Sequence, residues 1–187
     1  MRSRRVISIL SITLLAASLA HAGDSPDEKK AKTRDMASQT LQDLYKLQPT
    51  SKGAIKSSAG YAVFNNTGVN LLLSTARGAG IAVNSKSKQE TFMKMISGGA
   101  GLGIGVKDYR VVFVFENQGA LAHFLDSGWS GSGQVDAAAK SSKSGGAYSG
   151  ATMVEPGVWV YQITKKGLAL QATLQGTKYY KDDDLNK

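Results

Sequence analysis

Three kinds of chemistry have raw material in this sequence, and each demands a particular spacing. A serine–histidine–acid mechanism would have to use His123, the single histidine beyond residue 22. The G-x-S-x-G elbow that presents such a serine is absent: Gly131-Ser132-Gly133 and Ser149-Gly150 lack its spacing. A metal centre needs clustered ligands, and one histidine among scattered carboxylates does not provide them. Asp182-Asp183-Asp184 lacks the calcium-loop pattern and reads as a solvated acidic tail. With no cysteine, disulfides, thiolate nucleophiles and cysteine metal sites drop out together. No motif marks a pair of carboxylates for acid–base work. The chain reads as a non-enzyme without cofactor or metal.

The third chemistry is phosphate binding. Gly98 to Gly105 holds five glycines in eight residues, but neither the G-x-G-x-x-G nor the G-x-x-x-x-G-K-[ST] spacing occurs. Gly99, Gly101, Gly103 and Gly105 instead recur every second residue, between Ala100, Leu102, Ile104 and Val106. Period two is the period of a strand, with one bare face and one apolar face. A phosphate loop hands over to a helix whose first amides hold the anion. This segment hands over, through Lys107-Asp108-Tyr109, to the apolar strand Arg110 to Glu116. A glycine face serves close approach of a helix, a ring or another strand, or it leaves a shallow groove lined by backbone.

The elements that position these residues fall into two parts. Ser25-Pro26-Asp27-Glu28 is a helix start with a cap, a first-turn proline and a capping-box glutamate. Met36, Ala37, Thr40, Leu41, Leu44 and Leu47 form one stripe of that helix, and Pro49 closes it. A shorter helical stretch is expected over Ser51 to Ser58. Beyond Gly60, short apolar runs separated by Gly, Asn, Ser and Lys point to antiparallel strands. The expected strands are Tyr61–Phe64, Val69–Ser74, Gly80–Val83, Thr91–Ile96, Val158–Thr164 and Leu168–Leu174, with a hairpin turn at Lys165-Lys166-Gly167. A short helix capped by Asn117 runs to Asp126. Ser127 to Gly150 reads as an excursion or a weakly specified strand pair. The expected class is α+β: an N-terminal amphipathic helix packed on an antiparallel sheet or open barrel, plus one short helix after the central hairpin.

Residues 1–22 read as a cleavable secretory signal. Arg2, Arg4 and Arg5 precede the apolar run Val6–Leu19, and Ala20-His21-Ala22 is a small-x-small site that places the cut after Ala22. The expected location is the periplasm. Residues 23–58 are then a helical segment and 59–187 the β part of a single globular domain. Removing the three arginines from a chain of net charge +9 leaves +6. Most of that excess lies between Lys46 and Lys143, with eleven bases against five acids. Scattered charge of this size suits solubility or weak attraction to an anionic surface, and export argues against nucleic acid.

Several blocks together resemble the SYLF domain family. Ala59-Gly60-Tyr61-Ala62-Val63-Phe64 is similar to its entry strand, and Arg77-Gly78-x-Gly80 to the turn that follows. Gly98 to Gly105 with Asp108 and Asn117 resembles its central glycine block. Gly128-Trp129, Gly167-Leu168 and Gly176-Thr177-Lys178 resemble the closing blocks of bacterial members. The sequence departs from the family where Ala59 stands for a usual lysine, Asn65 for a usual proline, and Thr91-Phe92-Met93 for the W-S-x-P segment. The resemblance implies lipid binding without catalytic residues. In an exported bacterial member it implies an anionic phospholipid or membrane surface as partner, met peripherally at the envelope. Lys52, Lys56, Lys86, Lys88, Lys165 and Lys166 are the candidate phosphate contacts, each contributing about 1 kcal/mol near an anionic surface. The alternatives are a module that binds an envelope protein or peptidoglycan, and an unrecognised hydrolase.

Overall fold

The first helix, α1 (Pro26–Leu47), starts where its capping residues place it. The Ser25 hydroxyl accepts from the Glu28 amide at 3.2 Å, and the Glu28 carboxylate accepts from the Ser25 amide at 2.7 Å. Those bonds hold the Glu28 carboxyl below its ordinary range. Helix α2 (Thr50–Ser57) follows directly after Pro49. A computed structural model describes residues 23–70, 75–98, 109–131, 146–165, 167–169 and 176–187. The expected signal segment and the glycine row Gly99–Gly105 lie outside the described residues.

Among the described residues nine antiparallel strands follow: β1 (Gly60–Asn70), β2 (Thr75–Asn84), β3 (Glu90–Gly98), β4 (Tyr109–Phe115), β5 (Trp129–Ser130), β6 (Thr152–Glu155), β7 (Val158–Thr164), β8 (Gly167–Ala169) and β9 (Thr177–Lys181). Their order across the sheet is β5-β9-β3-β2-β1-β4-β7-β6, and β8 pairs with β7 alongside β6. Helix α3 (Gln118–Ser127) comes after β4, with the Asn117 side chain accepting from the Ala120 amide at 2.9 Å. The class is α+β, with the long helix before the strands and the short one after β4.

Both sheet faces are covered, which explains why Val111 to Phe115 is apolar without alternation: all five are fully buried. One face is concave. Phe64 on β1 and Tyr179 on β9 stand three strand steps apart, about 14 Å on a flat sheet, yet their ring centroids are 4.6 Å apart. Phe113 on β4 is one step further and still only 4.9 Å from Tyr179. Only a sheet curled towards these rings can bring them together, and α3 closes the hollow with Leu121 and Phe124. The convex face carries Val63, Ile81, Phe92, Val112, Val114 and Tyr161 beneath α1 and α2.

Glycines on β2 permit a close approach within the sheet. A Cβ on Gly80 would meet the Phe64 ring and the Val63 carbonyl, and one on Gly78 would meet the Asn65 carbonyl. The bare stretch of β2 is what lets Phe64 lie across the sheet.

Strand β4 is paired by β1 over Arg110–Phe115 and by β7 over Tyr109–Phe115, while the glycine row expected to precede it lies outside the described residues. Three expectations need correction. Val69 is part of β1 and does not begin a strand of its own. Strands β6 and β9 were not foreseen, because β6 is four residues long and β9 turns only Thr177 and Tyr179 inward, with Lys178 and Lys181 exposed. Finally, Asp182 is not a solvated tail residue. It is buried, pairs with Lys94 at 2.8 Å and accepts from the amides of Asp184 and Leu185. Asn186 then clasps the Phe92 backbone from both sides, at 2.9 and 2.7 Å.

Candidate functional site

One end of the sheet gathers four of the six candidate lysines. Gly60, Asn84, Glu90, Phe115 and Val158 all lie at this end by register. Helix α2, with Lys52 and Lys56 exposed, runs into β1 there, and the β2–β3 loop carries Lys86 and Lys88, also exposed. The two pieces are tied by the Ser85 amide, which donates to the Ala59 carbonyl at 2.9 Å. Lys56 and Lys86 therefore leave the backbone close to one shared hydrogen bond.

The loop is built by Asn84. Its side-chain oxygen accepts from the amides of Lys86 and Ser87 at 2.9 and 3.0 Å, and its carbonyl accepts from the Lys88 amide at 2.9 Å. Its amide nitrogen donates to Gln118 on α3 at 3.0 Å, and Gln118 donates onward to the Ala59 carbonyl at 3.4 Å. This bracing puts Lys88 in the left-handed region, φ 60°, the one non-glycine residue there among the described residues. A lysine in that conformation costs roughly 1 kcal/mol relative to glycine.

Charge pairing separates these lysines from some of the other bases, while Lys29, Lys30, Lys178 and Lys181 share their lack of an ion-pair partner among the described residues. Lys32, Arg34, Lys94 and Arg110 each sit on a carboxylate, at 2.6 to 2.9 Å. Among the described residues, Lys52, Lys56, Lys86 and Lys88 have no ion-pair partner. Glu90, Glu116 and Glu155 lie at the same end of the sheet, but none of them forms an ion pair with these four lysines.

The remaining candidates do not join them. Lys165 follows the last residue of β7, at the opposite end of the sheet, and Lys166 lies outside the described residues. His123 is exposed on α3 beside a cavity of about 170 Å³ that Glu155 and Trp129 also line. The Glu155 carboxylate there accepts from the Trp129 indole at 2.9 Å. Among the described residues no group of three or more His, Cys, Asp or Glu side chains is placed to hold a metal, and no helix is long and apolar enough to cross a membrane.

A second charged feature escaped the sequence reading. A groove of about 700 Å³ opens on the convex face between the start of α1, strands β2, β3 and β9, and the carboxy-terminal clasp. Lys29, Lys32, Arg77 and Lys94 line it together with Asp24, Asp182 and Asp184. The Asp182 carboxylate holds Lys94 above its usual range, and Lys187 holds Asp184 below its own. Three acids against four bases leave this groove nearly balanced. Its residues come from four distant parts of the chain, so no local pattern announces it. For the rim, an asparagine at the head of Ser-Lys-Ser-Lys was the available signal.

Comparison with known proteins adds two findings. Residues 96–187 match the family described as Ysc84, Las17-binding protein actin regulator. Over 162 residues, 86% of its length, the chain is 36% identical to "Beta cell expansion factor A" of Aeromonas veronii. It spans 60% of the length of that relative.

Proposed function

The chain belongs to the SYLF, or Ysc84, family, and on that premise we propose that it is a non-enzymatic domain that binds anionic phospholipid peripherally at the bacterial envelope. Family membership suggests a lipid- or actin-related binding role. The family description and the relative's name speak of a binding regulator and an expansion factor, which supports the non-enzymatic reading. The export pattern before Ala22 supports the envelope, and the rim supports the lipid. The observation that carries the proposal is the set of four exposed, internally unneutralised lysines, Lys52, Lys56, Lys86 and Lys88, on one end of a single sheet.

At about 1 kcal/mol per lysine, four contacts are worth roughly three orders of magnitude in partitioning onto an anionic bilayer. Attraction of this kind is screened by salt. Co-sedimentation of residues 23–187 with vesicles tests it. Pelleting with phosphatidylglycerol or cardiolipin, absent with phosphatidylcholine and reversed by high salt, is the expected result. Equal recovery in the supernatant with every lipid overturns the proposal.

A further inference from the structure

The groove on the convex face is open to a ligand, and its floor and walls differ in chemistry. The floor is the stretch of sheet that emerges from beneath α1. Ile81 and Phe92, paired by register, are buried, and Lys30 and Arg34 of the helix lie over the Phe92 ring. One row further out Ala79 pairs with Lys94 and Lys94 with Tyr180, and in the next row Arg77 pairs with Ile96. Ala79 is exposed, and Ile96, at 38%, is one of two large hydrophobic side chains exposed among the described residues. At about 700 Å³ the groove has the size of a small-molecule site.

Charge selects the sign of a ligand. Each carboxylate that lines the groove is engaged, Asp24 by Lys32 at 2.6 Å, and Asp182 and Asp184 by Lys94 at 2.8 and 3.5 Å. Lys187 gives Asp184 a second partner at 3.2 Å. Lys29, exposed near the start of α1, lines the same groove and has no ion-pair partner among the described residues. An entering cation therefore finds no spare carboxylate, whereas an anion finds an ammonium group. Four bases against three acids leave an excess of one positive charge, the match for a monoanion.

The floor selects the body of the ligand. Strand β2 is bonded to β1 and β3, and β3 to β2 and β9, so their backbone groups are taken by the ladders. Thr33 turns its hydroxyl back to the Lys29 carbonyl at 2.8 Å. A peptide laid along Ala79 and Ile96 would give up the water bonds of its amides without replacement, whereas an alkyl chain has none to lose. We propose that this groove binds a medium-chain aliphatic monocarboxylate, with the carboxylate on Lys29 and the chain across Ala79 and Ile96. Ala79 and Arg77 lie five and seven residues along β2 from Asn84, roughly 17–23 Å. The site is therefore separate from the lysine rim and stands whether or not the rim binds lipid.

The test is an NMR titration of residues 23–187 with octanoate, followed at the Ile96 methyl groups and the Ala79 amide. Saturable shifts at both are expected, with octylamine and N-acetyl-alanyl-leucine each binding at least tenfold more weakly. Lys29→Gln and Ile96→Asn, both at exposed side chains, each weaken octanoate about tenfold. Lys181→Gln, an equal loss of charge outside the groove, leaves it unchanged. No saturable shift with octanoate overturns the proposal. So does octanoate binding that is indifferent to Lys29→Gln, equally weakened by Lys181→Gln or matched by octylamine, since the groove then makes no selection by charge. Tighter binding of N-acetyl-alanyl-leucine also overturns it and makes the occupant a peptide terminus.

Discussion

The two faces of the sheet are closed by different physics. On the concave side, rings from β1, β4, β9, β5 and α3 interlock, with Phe113 alone touching the rings of Phe64, Phe124, Trp129 and Tyr179. On the convex side, α1 buries just Thr33, Ala37, Thr40 and Leu44 of its 22 residues. The threonine hydroxyls return to the helix backbone, to the Lys29 and Met36 carbonyls. Met36, Leu41 and Tyr45 pack half-buried against the same core, and ion pairs edge the contact: Arg34 meets Glu90 at 2.8 Å and also lies over the Phe92 ring, and Arg110 meets Asp43 at 2.9 Å. Both faces are packed cores: the concave one is built mainly of interlocking rings, and the convex one is closed by a helix whose edge also carries ion pairs.

That contrast fails if the two faces respond alike to substitution. The largest effect is expected on the concave side, where Phe113→Ala should cost about 3–5 kcal/mol in denaturant unfolding. On the convex side Leu44→Ala should cost less, about 2–3 kcal/mol, because the helix can settle onto the smaller residue. Equal losses would erase the distinction.

Alkaline unfolding probes both faces together. Burial pushes the Tyr161 phenol on the convex face up to about 12 and that of Tyr179 on the concave face well above its ordinary value. A raised folded pKa means that the stabilising neutral form is fully present below about pH 10, the unfolded value. Stability should then fall from about pH 10 upward through about pH 12. Tyr161→Phe and Tyr179→Phe should each flatten that decline in a melting-temperature series, and a slope unchanged by either would remove the phenols as its cause.

Smaller effects sharpen the picture of the cover. Arg110→Gln should cost roughly 1 kcal/mol at low salt, since the pair with Asp43 is partly exposed, and less at high salt. A salt-independent loss would mean that packing holds the helix there. Smallest is Lys88→Gly, which relieves the left-handed backbone and should stabilise by about 0.5–1 kcal/mol while weakening vesicle binding. Lower stability together with unchanged binding would deny the lysine its role.

How much of this could be read beforehand depended on the range of the interactions. Both helix caps were visible because Ser25 and Asn117 act on amides three residues away. Strand β7 was found at its true limits because its apolar run is bounded by Gly157 and Lys165. The glycine row Gly99–Gly105 lies outside the described residues, and the close approach a bare strand position permits is seen at Gly80, where the reason is a ring on another strand. The clustering of the four lysines depends on the Ser85–Ala59 bond, and the burial of Asp182 on Lys94. Such pairings between distant residues leave no periodicity in a single sequence. The same holds for β9, whose inward Tyr179 is defined by rings from three other elements.

The most direct test of the lysine rim compares two variants of equal charge. One carries glutamate at Lys52, Lys56, Lys86 and Lys88, and the other carries it at Lys29, Lys46, Lys178 and Lys181. If the rim is the contact surface, only the first loses its affinity for phosphatidylglycerol vesicles, by roughly three orders of magnitude or more. Equal losses in both would show that net charge alone governs the attraction, and the rim would have no claim as a site.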